Sequence, residues 1–259
     1  MPDGQSVSFD RAAAYYDRTR ALSEPVMARL VAMLAEEIGN SGRCLEIGVG
    51  TGRIALPLAR LGVELVGVDI SREMIRMLIS NADRIRVDVA IADATALPFA
   101  DGTFGSAMAA HVLHLIPRWR DAVGELIRVV RPHGKLLVER GSRERIAWTQ
   151  EVQRRFMAEA GDPPWPPGLD DTEQLDELMQ SRGALLRVMP ALVEEATSTV
   201  NELLASLEAG IFSRCWSLDD ATRSRAALAT RDWAERKLGD LDEPRPAHEV
   251  LTWRVYYLR

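Results

Sequence analysis

The sequence predicts an α/β fold, a doubly wound and mostly parallel sheet, with a helical cap inserted in the second half. Two observations carry this expectation. Short apolar runs alternate with helix-period segments through the first half of the chain, at the interval of βαβ units. After a long helical stretch comes HEVLTWRVYYLR, residues 248–259, rich in Val, Thr, Trp and Tyr, as a last strand returning to the sheet would be.

The elements follow in order. Residues 24–38 carry Val26, Met27, Leu30, Val31, Leu34 and Ile38 at helical spacing. Residues 43–48 read as a buried strand and 53–61 as a helix. A second strand spans 64–69, and a helix spans 72–81 with Ser71 positioned to cap it. Strands at 86–91, 105–110 and 135–139 complete the alternation, with a helix over 119–130 before the last of them. Helices are expected at 143–160 and 172–182, separated by the Pro-rich DPPWPPGLDD. A strand at 184–194 is interrupted near Pro190, and two further helices cover 199–212 and 218–238. The expected organisation is a core at 1–142 with N-terminal helices, and cap insertions at 143–247 holding a sheet strand near 184–194. The final strand at 248–259 rejoins the core.

At 259 residues, 47% hydrophobic and 27% charged, the chain reads as an ordinary soluble globular protein. Its net charge of -6 argues against a nucleic-acid surface, which needs a basic patch. Cys44 and Cys215 lie outside any metal spacing, so no metal site is expected. Cys44, inside an apolar run, reads as a small buried hydrophobe. The N-terminal stretch lacks a leader-like apolar run, and no segment approaches the roughly 18 apolar residues of a membrane span. The expectation is a cytoplasmic protein.

Function first emerges in LEIGVGTGRIALPLA, residues 45–59, where apolar residues lead into Gly48, Gly50 and Gly52. A dinucleotide fingerprint wants its third glycine at position 53, which is Arg53. A tight turn with no ligand is the bland alternative. The acids sharpen the reading. Asp69 ends the second strand about 20 residues beyond the glycines, where an acid accepts hydrogen bonds from a ribose. Asp93 closes the third strand, where an acid can face an exocyclic amine of adenine. Glu46 lies within the first apolar run, costly unless a backbone amide, a basic side chain or the ammonium of a bound amino acid pairs with it. An acid there repels phosphate, so these residues favour a sulfonium cofactor over a nucleotide.

LEIGVGTG, VGVDIS, ADATALPFADGTF and LIRVVRPHGKLLVE, in that order, resemble the motifs of class I S-adenosylmethionine-dependent methyltransferases. The similarity is to the branch typified by ubiquinone and menaquinone biosynthesis enzymes (methyltransferase types 11 and 25). FDRAAAYYD, residues 9–17, matches that branch's N-terminal F-D-x-x-A-x-x-Y-D. The resemblance implies a seven-stranded Rossmann-like sheet, S-adenosyl-L-methionine as cofactor and a small-molecule methyl acceptor. It assigns cofactor binding to Glu46, Gly48, Gly50, Thr51 and Gly52, to Asp69 and Ile70, and to Asp93 and Ala94. Met74 matches a position that packs on the adenine. Two residues depart from the pattern: Gly105 replaces an Asp after Phe104, and His133 replaces a glycine of Pro-Gly-Gly.

Methyl transfer asks the protein to align the reactants and exclude water, with a general base only when the nucleophile is protonated. His111, at the end of the fourth strand, and His114 are the candidates, as base or pocket lining, His111 also beside the cofactor. Tyr16 can lend an aromatic face to a sulfonium, and Arg20 can pair with a carboxylate. DPPW, residues 162–165, copies a signature that holds a nucleobase amine but lies beyond the fifth strand, so a rigid loop or lid hinge is expected. Trp148, Phe156, Trp165, Phe212 and Trp216 suit either an aromatic pocket or core packing. The competing readings are an NAD(P)-dependent oxidoreductase, for which no Tyr-x-x-x-Lys pair exists, and a non-catalytic S-adenosylmethionine-binding scaffold.

Overall fold

The computed structural model describes residues 6, 8–13, 15–19, 21–140, 146–164 and 168–259. The sequence elements appear as α1 (Tyr16–Thr19), α2 (Glu24–Ile38), β1 (Cys44–Ile47), α3 (Ala55–Arg60), β2 (Leu65–Asp69), α4 (Arg72–Asn81) and β3 (Asp88–Ile91). Then come β4 (Phe104–Ala110), α5 (Trp119–Val129), β5 (Val130–Glu139), α6 (Ala147–Glu159), α7 (Thr172–Ser181), β6 (Leu185–Val188) and β7 (Leu192–Glu194). The chain continues through β8 (Thr197–Ser198), α8 (Val200–Glu208), α9 (Asp220–Leu238), β9 (Arg245–Pro246), β10 (Glu249–Leu251) and β11 (Arg254–Tyr257).

Seven strands form one sheet in the order β3-β2-β1-β4-β5-β11-β6. β1 pairs in parallel with β2 and β4, and β11 runs antiparallel between β5 and β6. The expected doubly wound, mostly parallel sheet is what the chain forms. Its strand order reverses direction between β1 and β4, the crevice where open α/β sheets bind their ligands. β1 and β4 are buried along their whole length, as strands covered on both faces are. Leu45, Ile47, Phe104, Ala107, Leu126 and Leu136 belong to one core cluster, and Leu30, Leu34, Leu58, Met108 and Leu137 to another.

Local chemistry sets the ends of these elements. Pro25 occupies the first turn of α2, where its missing N–H is not needed. Ser71 caps α4, its hydroxyl accepting from Met74 N at 3.1 Å. α5 stops at Val129, one residue short of expectation, because Val130 pairs with Phe104. β5 therefore starts earlier than the expected 135–139. Its register against β4 shifts between Phe104 and Ser106, and Pro132, His133 and Gly134 fill the irregularity. His133 there has φ +62°, the left-handed conformation that glycine favours, which accounts for the usual glycine at this position. Gly105 has a different cause: a Cβ would lie 1.4 Å from the Ser41 carbonyl oxygen, so no side chain fits.

Among the described residues the chain divides into two units. One comprises the residues up to 140 with 168–192 and 251–259; the other comprises 146–164 and 193–250. The expected insertion 143–247 is thus interrupted, because residues 168–192 belong with the sheet. β6 pairs with β11, and Leu175, Met179 and Ala184 are buried in the sheet's core cluster. The second unit has its own core of Val152, Phe156, Leu203, Leu204, Leu207 and Ala226. Trp148 and Phe212 pack against it, so these two aromatics and Phe156 serve core packing. Trp165 lies outside the described residues. Asp162 of DPPW donates its N–H to Met157 O at 2.8 Å with φ +48°, which closes the C-terminal end of α6. No helix among the described residues is long and apolar enough to cross a membrane.

Candidate active site

The C-terminal ends of β1, β2, β3, β4 and β5 converge on one edge of the sheet unit. Register places Asp69 opposite Ile91, Ala109 opposite Ile47, and Glu139 opposite Ala110. Gly48, the acids and His111 are thereby brought together by residues far apart in sequence.

After β1 the chain turns through Gly48, Gly50 and Gly52, all at positive φ. At Gly48 the reason is also steric, since a Cβ would meet Val112 Cγ2 at 2.5 Å. The loop's amides are engaged within the protein. Val49 N donates to Val68 O at 3.0 Å, Gly50 N to Asp69 Oδ2 at 2.9 Å, and Gly52 N to Val49 O at 3.1 Å. A phosphate cradle needs such amides pointing at the ligand, and here three of them point inward.

Glu46 is buried to 2% exposure, and its Oε2 has no hydrogen-bond partner among the described residues. Burial pushes its carboxyl up to about 8, moderated by Arg53 and reinforced by Asp69. Asp69 is also raised by burial, against the hydrogen bonds it accepts from Ser71 N and Gly50 N. The Ser71 N–H lies 2.8 Å from its Oδ1. Asp93 is exposed, and its Oδ1 accepts from Thr95 N and Thr95 Oγ1, each at 2.9 Å. Ile70 is exposed beside Asp69, Ala94 is nearly buried, and Met74 is fully buried under the cap of α4. A buried acid with one oxygen unmatched among the described residues, two strand-end acids and inward-turned amides fit a cationic, hydroxyl-bearing group without phosphate. S-adenosylmethionine is such a group: Glu46 would take its ammonium and Asp69 its ribose.

The N-terminal segment is tied to this loop and to α4. Thr51 Oγ1 donates to Asp17 Oδ1 at 2.5 Å, and Asn81 Nδ2 donates to Asp17 Oδ2 at 3.2 Å. Seven residues earlier, Asp10 Oδ1 accepts from Ser71 Oγ at 2.6 Å and from Glu73 N at 3.2 Å. The Ser71 hydroxyl holds the Asp10 carboxyl below its ordinary value. Tyr16 sits between these ties, half-buried and edge-on to Phe9 at 6.0 Å. Arg20 lies outside the described residues. Sequence reasoning overlooked Asp10, Asp17 and Asn81, although both aspartates belong to the matched F-D-x-x-A-x-x-Y-D.

His111 ends β4 at φ +52°, a conformation a non-glycine residue adopts at a cost of about 1–2 kcal/mol. Its N–H donates to Glu139 O at 2.9 Å, and its Nε2 lies 3.1 Å from Glu139 Oε2. Glu139 is 3% exposed and was not among the expected site residues. The signal was present in LLVE, an acid closing an apolar strand as Glu46 interrupts another. His114 lies one turn on, half-buried, its carbonyl accepting from Gly168 N at 3.1 Å. No cluster of groups able to hold a metal exists among the described residues.

A methyltransferase-domain family model matches residues 45–138. A demethylmenaquinone methyltransferase of Renibacterium salmoninarum is 30% identical over 162 residues, covering 61% of this chain and 68% of that protein. An uncharacterised protein of Mycobacterium tuberculosis is 33% identical over 134 residues, covering 50% of this chain and only 46% of its own length. Among solved structures, YcgJ of Bacillus subtilis superposes with a TM-score of 0.59 at 18% identity, covering 91% of this chain and 98% of that one.

Proposed function

Because this chain belongs to the class I S-adenosylmethionine-dependent methyltransferases, in the branch of the ubiquinone and menaquinone enzymes, we propose that it methylates a demethylmenaquinone-like acceptor. S-adenosylmethionine supplies, when bound, a methyl group activated by the sulfonium. The protein's own residues bind and orient it. Glu46 faces the ammonium, Asp69 takes the ribose hydroxyls, and Asp93 with Ala94 borders the adenine. Gly48, Gly50, Thr51 and Gly52 shape the loop, Ile70 and Met74 flank it, and Tyr16 approaches from the N-terminal segment. The single observation that carries this reading is the buried Glu46 carboxyl, whose Oε2 has no hydrogen-bond partner among the described residues, beside a loop whose amides face inward.

Calorimetry with S-adenosylmethionine and S-adenosylhomocysteine, with NADH as the comparison ligand, tests it. Binding of the first two and not of NADH is expected; the reverse pattern overturns the reading. Turnover of a short-chain demethylmenaquinone analogue in its reduced, quinol form then tests the acceptor.

The Glu46 carboxyl makes a pH-dependent prediction. Its folded value near 8 lies above its ordinary 4.5, so the fold is favoured while the group is protonated. That contribution is complete below about 4.5 and is lost as pH rises through about 8. The ligand-free protein should therefore lose melting temperature between pH 5 and 8, and Glu46→Gln should flatten the slope. An ammonium facing Glu46 requires the carboxylate, so binding at pH 7 should release about one proton. Calorimetry in buffers of different ionisation enthalpy reads that proton directly. An enthalpy independent of buffer would show that Glu46 does not ionise on binding.

Asp17→Ala should loosen the N-terminal segment from Thr51 and Asn81. Losing hydrogen bonds to a charged acceptor costs about 1.5–3 kcal/mol, enough to speed S-adenosylhomocysteine dissociation by roughly 10-fold. Stopped-flow measurement of the off-rate checks this, and an unchanged rate would mean the segment does not retain the cofactor.

A further inference from the structure

The pairing of His111 with Glu139 reaches beyond cofactor binding. Both side chains stand at the sheet edge that carries the cofactor loop, and the residue after His111, Val112, lies against Gly48. Glu139 grips His111 twice, through its carbonyl at 2.9 Å to the backbone N–H and through its carboxyl at 3.1 Å to Nε2. The strained φ of +52° at His111 is the conformation in which both contacts are made. A structural histidine at a strand end requires neither a strained backbone nor a buried acid of 3% exposure aligned on its ring.

We propose that Glu139 is a positioning residue: its carboxyl holds the Nε2–H of His111, which makes Nδ1 the basic nitrogen that accepts the acceptor's proton. This rests on the methyltransferase reading and narrows the substrate class to acceptors whose nucleophile is protonated at neutral pH, a phenol or quinol hydroxyl. The balance is simple. The acceptor's O–H bond breaks and its proton passes to His111. The electron pair left behind, on oxygen or delocalised to a ring carbon, forms the new bond to the methyl carbon. The methyl–sulfur bond breaks with its pair leaving on the sulfur of S-adenosylhomocysteine, and a ring carbon that attacks then sheds its own hydrogen as a proton. The imidazolium is then held against the Glu139 carboxylate until it returns the proton to water.

Two arms test this in the intact chain with S-adenosylhomocysteine bound. In the first, nitrogen-15 spectra of the histidines, with His111→Asn giving the assignment, should show His111 as a single Nε2–H tautomer. Glu139→Ala should convert it to a mixture with fast-exchanging ring protons, and Glu139→Asp should restore the tautomer in part. A His111 tautomer unaltered by Glu139→Ala overturns the positioning role. In the second arm, with S-adenosylmethionine in place of S-adenosylhomocysteine, turnover of the demethylmenaquinone analogue in its reduced, quinol form should fall about 10²-fold in kcat for Glu139→Ala, with cofactor affinity unchanged. Equal kcat in wild type and variant overturns the catalytic part. Failure of S-adenosylhomocysteine to bind the wild type would instead overturn the underlying methyltransferase reading, so the two failures are distinct. Loss of the folded spectrum in Glu139→Ala passes both measurements to Glu139→Gln, which keeps the volume and removes the charge; the same outcomes decide.

Discussion

Asp69→Ala is expected to weaken S-adenosylhomocysteine binding by about 100-fold or more in calorimetry, with the sheet intact. The carboxylate has two tasks. It orders the loop by accepting Gly50 N–H at 2.9 Å and Ser71 N–H at 2.8 Å. It also ends β2 where a ribose is received in such sheets. Hydrogen bonds to a charged acceptor contribute about 1.5–3 kcal/mol each, and the variant loses several while leaving two amides unmatched. Asp69→Asn, which keeps an acceptor oxygen without the charge, should fall between. Unchanged affinity in Asp69→Ala would show that the cofactor's ribose lies elsewhere.

Gly105→Ala should produce the largest loss of stability of any single methyl group added to the sheet, about 3 kcal/mol or more in urea unfolding. A Cβ there meets the Ser41 carbonyl oxygen at 1.4 Å and its carbon at 2.4 Å, backbone atoms that cannot rotate aside. Gly105 N donates to Arg43 O at 3.0 Å, so the segment before β1 is bonded to β4 at this same place. A variant as stable as wild type would mean that the turn around Ser41 relaxes freely. The result bears on the departure from the family pattern. An Asp at this position requires residues 41–43 to run farther from β4 than they do here.

Much of this architecture is readable in the residues, and the exceptions have physical causes. The helices at 24–38 and 72–81 coincide with expectation to the residue, because a proline in the first turn and the Ser71 cap mark their starts. The start of β5 does not, because Pro-His-Gly reads locally as a turn while the sheet continues through it as an irregularity. Nor does the grouping of residues 168–192 with the sheet: periodicity identifies α7 and β6 but carries no information on the layer they join. In the candidate site, Glu46, Asp69 and Asp93 stand out as acids in or after apolar runs. Their surroundings do not. Thr51 meets Asp17 across 34 residues and Ser71 meets Asp10 across 61, and such long-range bonds leave no periodic signature.

The helical unit is written in two separate pieces, and this constrains how the protein came to have it. Its core takes Val152 and Phe156 from α6 in the first piece, and Leu203, Leu204, Leu207 and Ala226 from α8 and α9 in the second. The first piece alone would present Val152 and Phe156 to water, whereas α8 and α9 of the second would still pack on each other but leave open the face that receives α6. Related chains that carry the first piece should therefore carry the second as well.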